Sequence, residues 1–156
     1  MNKLIKKIGF INIVIAAVIA IFFIGDRYLK LRAINLTTAA PIRLAGDIFT
    51  YTFKSNYYIA FSLPLGGTLL NGAILILVIV LIATITLFIL SKNQHRLEIS
   101  GLALILLGAI SNLADRLIYG YVIDYFYLKN FTIFNLADVM ISSGALILIL
   151  NSFKKK

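Results

Sequence analysis

Charge falls so rarely along this chain that it leaves four long apolar runs, and that constrains the fold more than any other feature. Ile8–Gly25 has 18 residues and no charge, after Lys3, Lys6 and Lys7. Ser55–Ser91 is uncharged throughout, with Pro64, Gly66 and Gly67 interrupting its start. Ile99–Ala114 is uncharged between Glu98 and Asp115, and Phe131–Phe153 contains a single charge, Asp138. A hydrocarbon core of ~30 Å is crossed by about 20 helical residues. The spacing therefore predicts an all-α membrane protein with four transmembrane helices in one integral membrane domain, residues 1–156. The expected helices are about 8–25, 68–90, 97–118 and 134–153, with outer segments 26–67 and 119–133. The basic start of the first run resembles a signal peptide. Its length, and the lack of a small-x-small site before Asp26, favour an uncleaved helix.

Composition agrees with lipid as the solvent. Of the 156 residues 61% are hydrophobic and 13% charged, too little charge to cover a water-soluble surface. The net charge of +9 lies at the ends of the runs, so membrane topology explains it and nucleic acid is not an expected partner. With no cysteine and one histidine, His95, the chain cannot build a disulfide, a thiol nucleophile, a His-rich metal site or a Ser-His-Asp triad. No cofactor or metal is called for.

Four crossings put both termini on one side. That side carries Lys3, Lys6, Lys7, Lys92, Arg96, Lys154, Lys155 and Lys156 in short flanks. The other carries Arg27, Lys30, Arg32, Arg43, Lys54, Arg116 and Lys129, spread over longer segments. Short flanks weigh most in orientation, so both termini are expected in the cytoplasm. Between Ile48 and Lys54, Phe49, Tyr51 and Phe53 alternate with polar or aliphatic neighbours. That is the period of a short strand, with an aromatic face suited to the headgroup region.

The six acidic residues are unevenly placed. Asp26, Asp47, Asp115, Asp124 and Asp138 share one end of the predicted bundle, and only Glu98 lies at the other. Ionisable groups at membrane depth are costly and are usually functional. Asn135 and Asp138 stand three residues apart on one helix face. They also read as a plain N-cap with its partner at the third helical position, and the two readings are compatible. Asn112, Asp115 and Arg116 offer an amide, an acid and a base from the outer end of the third helix, or simply a helix-end ion pair with snorkelling. Asp124 sits in an otherwise apolar stretch, where a solvated loop acid would be out of place. Two carboxylates brought together cannot both ionise easily. The ionised one can take a proton from water while the protonated one polarises a carbonyl, which is amide hydrolysis by acid and base. Proton-coupled transporters pair membrane acids as well.

These blocks resemble lipoprotein signal peptidase (signal peptidase II), the bacterial membrane aspartic protease family A8, over nearly the whole chain. Asp26-Arg27-Tyr28-Leu29-Lys30 is similar to the family's Asp-Gln-x-x-Lys, and Asn56–Ser62 to its Asn-x-Gly-Ala-Ala-Phe-Ser. Asn112–Arg116 with Gly120–Tyr125 resembles Asn-x-x-Asp-Arg followed by Gly-x-Val-x-Asp-Phe. Phe134–Asp138 matches Phe-Asn-x-Ala-Asp. The resemblance implies four helices with a small extracytoplasmic β-element. It implies Asp124 and Asp138 as a catalytic dyad, Asn56, Asn112, Arg116 and Asn135 as substrate-binding or orienting residues, and Asp26, Lys30 and Asp115 as supporting residues. It implies a diacylglyceryl-modified prolipoprotein as substrate, cut N-terminal to the lipobox cysteine. It further implies contact with membrane lipids, inhibition by cyclic peptides of the globomycin type, and a place in the cytoplasmic membrane with the active site near the outer face. Arg27, Ser111, Tyr58 and Ile59 depart from the family pattern, the last two beside Asn56.

Three other readings compete: a small proton-coupled transporter subunit, with acids near the bilayer midplane; a Ser/Lys signal peptidase using Ser55 or Ser62 with Lys54; and a catalytically silent paralogue that binds without cutting.

Overall fold

The structure is a computed structural model that describes residues 2–57, 67–91 and 95–154, with side chains from residue 12 onward. Its elements run in the order α1 (Asn2–Ile34), β1 (Ile42–Ala45), β2 (Phe49–Asn56), α2 (Gly67–Leu90), α3 (Arg96–Tyr119), β3 (Val122–Leu128), β4 (Thr132–Phe134) and α4 (Leu136–Lys154). All four helices are long and apolar enough to cross a membrane. About half of their large aliphatic side chains are exposed, among them Ile76 and Ile79 on α2. That is the arrangement expected where lipid, not a protein core, solvates the outer faces. The chain is a multi-pass membrane protein.

The first helix differs most from the sequence expectation. It does not stop at Gly25 but continues through Asp26 to Ile34. The charges that end the apolar run do not end the helix, because they are buried as pairs. Asp26 and Lys30, one turn apart, form an ion pair at 3.1 Å with neither side chain exposed.

Packing is closest between α3 and α4. Gly101 and Gly108 lie two turns apart on one face of α3; Gly144 of α4 faces the first and Ala137 the second. A Cβ at Gly108 would fall 2.6 Å from the Ala137 carbonyl oxygen, and one at Gly101 would fall 3.0 Å from the Gly144 carbonyl oxygen. Backbones in lipid approach this closely only where side chains are missing. α2 rests on α3, while α1 reaches α3, α4 and the sheet.

The β-element is a four-stranded antiparallel sheet in the order β1-β2-β3-β4. The single strand expected at Ile48–Lys54 corresponds to β2. Its Tyr51 points inward, not to a headgroup layer: its ring packs on Tyr125 and Phe126, and its hydroxyl donates to the Leu29 carbonyl at 2.6 Å. Ala33, Tyr51, Ile123 and Tyr125 form the core that fixes the sheet to the end of α1. Gly120 turns the chain from α3 into β3. Its φ of 81° is a left-handed cap, and its N–H closes on the Arg116 carbonyl at 3.1 Å. Only glycine takes that conformation without strain.

Gly108→Ala should push the first turn of α4 off α3 and destabilise the protein by roughly 1–3 kcal/mol, as overpacking does. Gly72→Ala, where a Cβ meets nothing within 4 Å, should be neutral or slightly stabilising. Thermal unfolding of both variants in detergent checks the contrast.

Candidate active site

Asp138 lies in the first turn of α4, and the cap of that helix sets its direction. The Asn135 side-chain oxygen accepts from the Asp138 N–H at 2.9 Å. In return the Asn135 N–H donates to Asp138 Oδ2 at 3.2 Å. This reciprocal pair is a capping box built from Asn and Asp. Capping and site-building are therefore one arrangement. Asp124 sits in the middle of β3, 2% exposed. Asn135 Nδ2 donates to its Oδ1 at 2.6 Å, and Asn56 Nδ2 to its Oδ2 at 2.9 Å. Asn112 Nδ2 completes the set, donating to Asp138 Oδ1 at 2.9 Å. Each of the four carboxylate oxygens thus accepts one N–H, and Asn135 serves both acids.

Both carboxylates open on one cavity of about 530 Å³, in the ordinary range for a ligand site. Leu70, Ile74 and Leu77 of α2 and Phe131, Ile133 and Phe134 around β4 give it apolar walls, and Arg116 stands on its rim with Asn56 and Asn112. Burial, reinforced by the neighbouring Asp138 charge, pushes the Asp124 carboxyl up to about 7. The amides of Asn56 and Asn135 and the charge of Lys30 oppose that shift only in part.

Beneath the two acids lies a buried ionic layer. The Lys30 ammonium, fully buried, meets Asp26 Oδ2 at 3.1 Å, Asp115 Oδ2 at 2.8 Å, Asn112 Oδ1 at 2.8 Å and Ser111 Oγ at 3.3 Å. Asp26 also accepts from Ser111 Oγ at 2.6 Å, from the Tyr125 hydroxyl at 2.8 Å and from the Ala137 N–H at 3.1 Å. Asp115 accepts from Arg27 at 2.5 Å and from the Ile123 N–H at 3.2 Å. Burial and the adjacent Asp26 carboxylate raise the Tyr125 hydroxyl well above its usual value, so it stays a neutral donor.

The residues singled out from the sequence thus fall into two layers. Asn56, Asn112, Arg116, Asp124, Asn135 and Asp138 line or border the cavity. Asp26, Lys30 and Asp115 lie below it and reach it through Asn112, Ile123 and Ala137. Asp47 stands apart on the surface, paired with Arg43 at 3.2 Å, and Glu98 lies 3.5 Å from His95 Nδ1 at the other end of α3. Tyr58, Ile59 and Ser62 fall outside the described residues. Three participants had no signal of their own in the sequence. Arg27 and Ser111 stand out there only as departures from a family pattern, and Tyr125 only as Asp124's neighbour. In a strand that neighbour faces the opposite side, toward Asp26. Lys54 and Ser55, consecutive in β2, also project to opposite faces, which disfavours them as a base and nucleophile pair.

The sequence model of the family described as signal peptidase (SPase) II matches residues 18–154. The chain belongs to the signal peptidase II family. Among its relatives, the lipoprotein signal peptidase of Chlorobaculum parvum is 37% identical over 82% of this chain and 88% of its own length. That of Clostridium tetani is 36% identical over 88% and 91%. Two bacterial membrane enzymes solved by the in meso method share the fold. One has a TM-score of 0.75 at 22% identity, over 92% of this chain and 87% of its own. The other has a TM-score of 0.69 at 24% identity, over 93% and 94%. This signal peptidase II family member is a membrane protease, so the transporter reading falls.

Lys30→Met should unfold or severely destabilise the protein, by roughly 3–5 kcal/mol, because it leaves Asp26 and Asp115 buried with half their countercharge. Thermal unfolding in detergent reads the loss. Lys129→Met, at the end of the sheet, should change it little.

Proposed function

We propose that the protein is an aspartic endopeptidase that removes signal peptides from prolipoproteins, with Asp124 and Asp138 as its catalytic dyad. The observation that carries this reading is the matched holding of the two carboxylates. Every oxygen accepts one N–H from a neutral amide, and both acids face the same apolar cavity. Neutral donors fix direction without forcing a charge on either acid, as an arginine fork would. The pair then shares one proton and titrates as a unit. The upward shift of Asp124 favours it as the holder near neutral pH.

The chemistry follows from that proton. Asp138, ionised, takes a proton from a water lying between the acids, and the hydroxide oxygen attacks the scissile carbonyl carbon. Asp124 donates its proton toward the carbonyl oxygen as negative charge develops there. The proton on Asp138 passes to the peptide nitrogen as the C–N bond breaks. Asp124 recovers its proton as the new carboxyl forms. Asn112 and Arg116 line the cavity and would hold substrate backbone.

The substrate class follows from the family and from the cavity. The relatives carry the name lipoprotein signal peptidase, and the apolar walls of the cavity suit a diacylglyceryl chain. The cut falls N-terminal to the modified lipobox cysteine, and globomycin-type cyclic peptides would compete for the same cavity. Both termini lie in the cytoplasm and the aspartate end at the outer face of the cytoplasmic membrane, as the lysine-rich short flanks support.

Incubation of the purified protein with a diacylglyceryl-modified prolipoprotein should yield the shorter product. Asp124→Asn and Asp138→Asn should each reduce cleavage at least ~10³-fold with the fold retained, and the double variant should be little worse, because the two act as one unit. Near-normal turnover in either single variant would remove the dyad and leave Asp115 as the next acid to test. The pH profile has a stated sign. Asp124 keeps its proton below about 7 and loses it above, so cleavage should decline as pH rises through that value.

Orientation is read separately by reporter fusions. A reporter after Lys92 should be cytoplasmic, and reporters within 31–45 should be external. The reverse pattern would invert the topology.

A further inference from the structure

We propose that the far end of the bundle holds a second site, which binds an anionic membrane phospholipid with an acyl chain between α1, α2 and α3 and its phosphate against Arg96. A cavity of about 570 Å³ lies there. Along α3, Arg96 stands 16 residues before Asn112, or ~24 Å at 1.5 Å per residue. The cavity shares no lining residue with the one on which the carboxylates open.

Its lining is segregated. Ile15 and Ile19 of α1, Phe88 of α2, and Ile99 and Leu107 of α3 make an apolar body. Polar groups gather where α2 ends and α3 begins, at Ser91, His95 and Arg96, with Asn12 across from them on α1. An apolar trough with a cationic mouth complements an amphiphile with an anionic head, and neither a free ion nor a plain hydrocarbon uses both parts. The mouth is also built. The His95 ring stacks on Phe88 with centroids 4.4 Å apart and planes at 17°, and its Nδ1 lies 3.5 Å from Glu98. That acid does not line the cavity. Among the described residues Arg96 makes no ion pair. It is half-buried at the rim, where a guanidinium would otherwise be partly desolvated without a countercharge. A phosphate supplies that charge in a geometry that arginine matches with two N–H donors. His95 gives α3 no side-chain cap, so the amide end of the helix adds to the attraction for an anion.

The test uses the purified full chain in detergent, by native mass spectrometry and thermal unfolding. Added ligands are dioleoyl phosphatidylglycerol, dioleoyl phosphatidylcholine, dioleoylglycerol and inorganic phosphate. Phosphatidylglycerol should be retained and should raise the melting temperature, with an apparent affinity about fivefold above dioleoylglycerol, the contribution of one basic residue at a lipid headgroup. Phosphatidylcholine should fall between them, and inorganic phosphate should do nothing. Arg96→Gln should reduce phosphatidylglycerol to the level of dioleoylglycerol. Ala103→Phe, which fills the body of the cavity, should abolish retention of both. Ala16→Phe fills it from α1 if the first variant does not fold. Neither Arg96 nor Ala103 belongs to the proteolytic machinery, so retained cleavage of prolipoprotein certifies the fold of each variant. Equal binding of phosphatidylglycerol and dioleoylglycerol, stabilisation by phosphate alone, or unchanged retention in Arg96→Gln would each overturn the proposal.

Discussion

A single ammonium group, Lys30 Nζ, holds together the end of the bundle where the acids meet. It is fully buried and touches two carboxylates, an amide and a hydroxyl, all within 3.3 Å. An unpaired charge at such depth would cost several kcal/mol, so the position is tenable only with both carboxylates in place. Those carboxylates come from α1 and α3, and the amide, Asn112, passes the connection to Asp138 on α4. Asp26 extends the same network to the Tyr125 hydroxyl on β3 and to the Ala137 N–H on α4. Three helices and a strand thus agree on one geometry because one charge requires it. Arg27 completes the layer from α1, and with it two carboxylates face two cations, leaving the cluster formally neutral. This suits a site that must avoid forcing a charge on the acids above it.

The two layers divide the electrostatic work. The lower layer is ionic and largely buried, and its acids are held by cations. The upper layer is held by the side-chain amides of Asn56, Asn112 and Asn135 and one backbone N–H. A carboxylate gripped by a cation is held by opposite charge. One gripped by amides keeps its direction while its proton remains exchangeable. Asp124 is buried beside another acid and answered mainly by amides, and it is accordingly shifted up to about 7.

Much of this was legible in the sequence, and the limits of legibility have physical causes. Charges end the apolar runs, so the helices could be placed from them. Where charges are buried as pairs, as at Asp26 and Lys30, the same rule ends α1 nine residues too early. β2 announced itself by alternation. β3 did not, because Val122–Leu128 is covered on both faces for most of its length, and such a strand reads as a uniform apolar stretch. The Asn135–Asp138 cap was readable from a spacing of three. The bonds of Arg27 and Lys30 to α3 were not, since they join residues more than 80 positions apart, and no local pattern encodes such a pairing.

The glycines of α3 connect packing to chemistry. Gly108 lets the Ala137 carbonyl approach so closely that a methyl group would not fit, and Ala137 precedes Asp138 in the first turn of α4. The depth of that turn is therefore set by backbone contact, which has less freedom than contact between long side chains. Asp124 is positioned independently, by the Gly120 turn and by pairing with β2, where Lys54 stands opposite it. One acid is thus fixed by helix packing within the membrane and the other by a sheet at its edge. Asn135 spans the join, bonding Asp124 through its side chain and Asp138 through both side chain and backbone. A residue in that role transmits any movement of α4 against the sheet directly to the relation between the two carboxylates. The proposed dyad can therefore keep a working separation only while the glycine contact and the buried lysine hold the two parts in register.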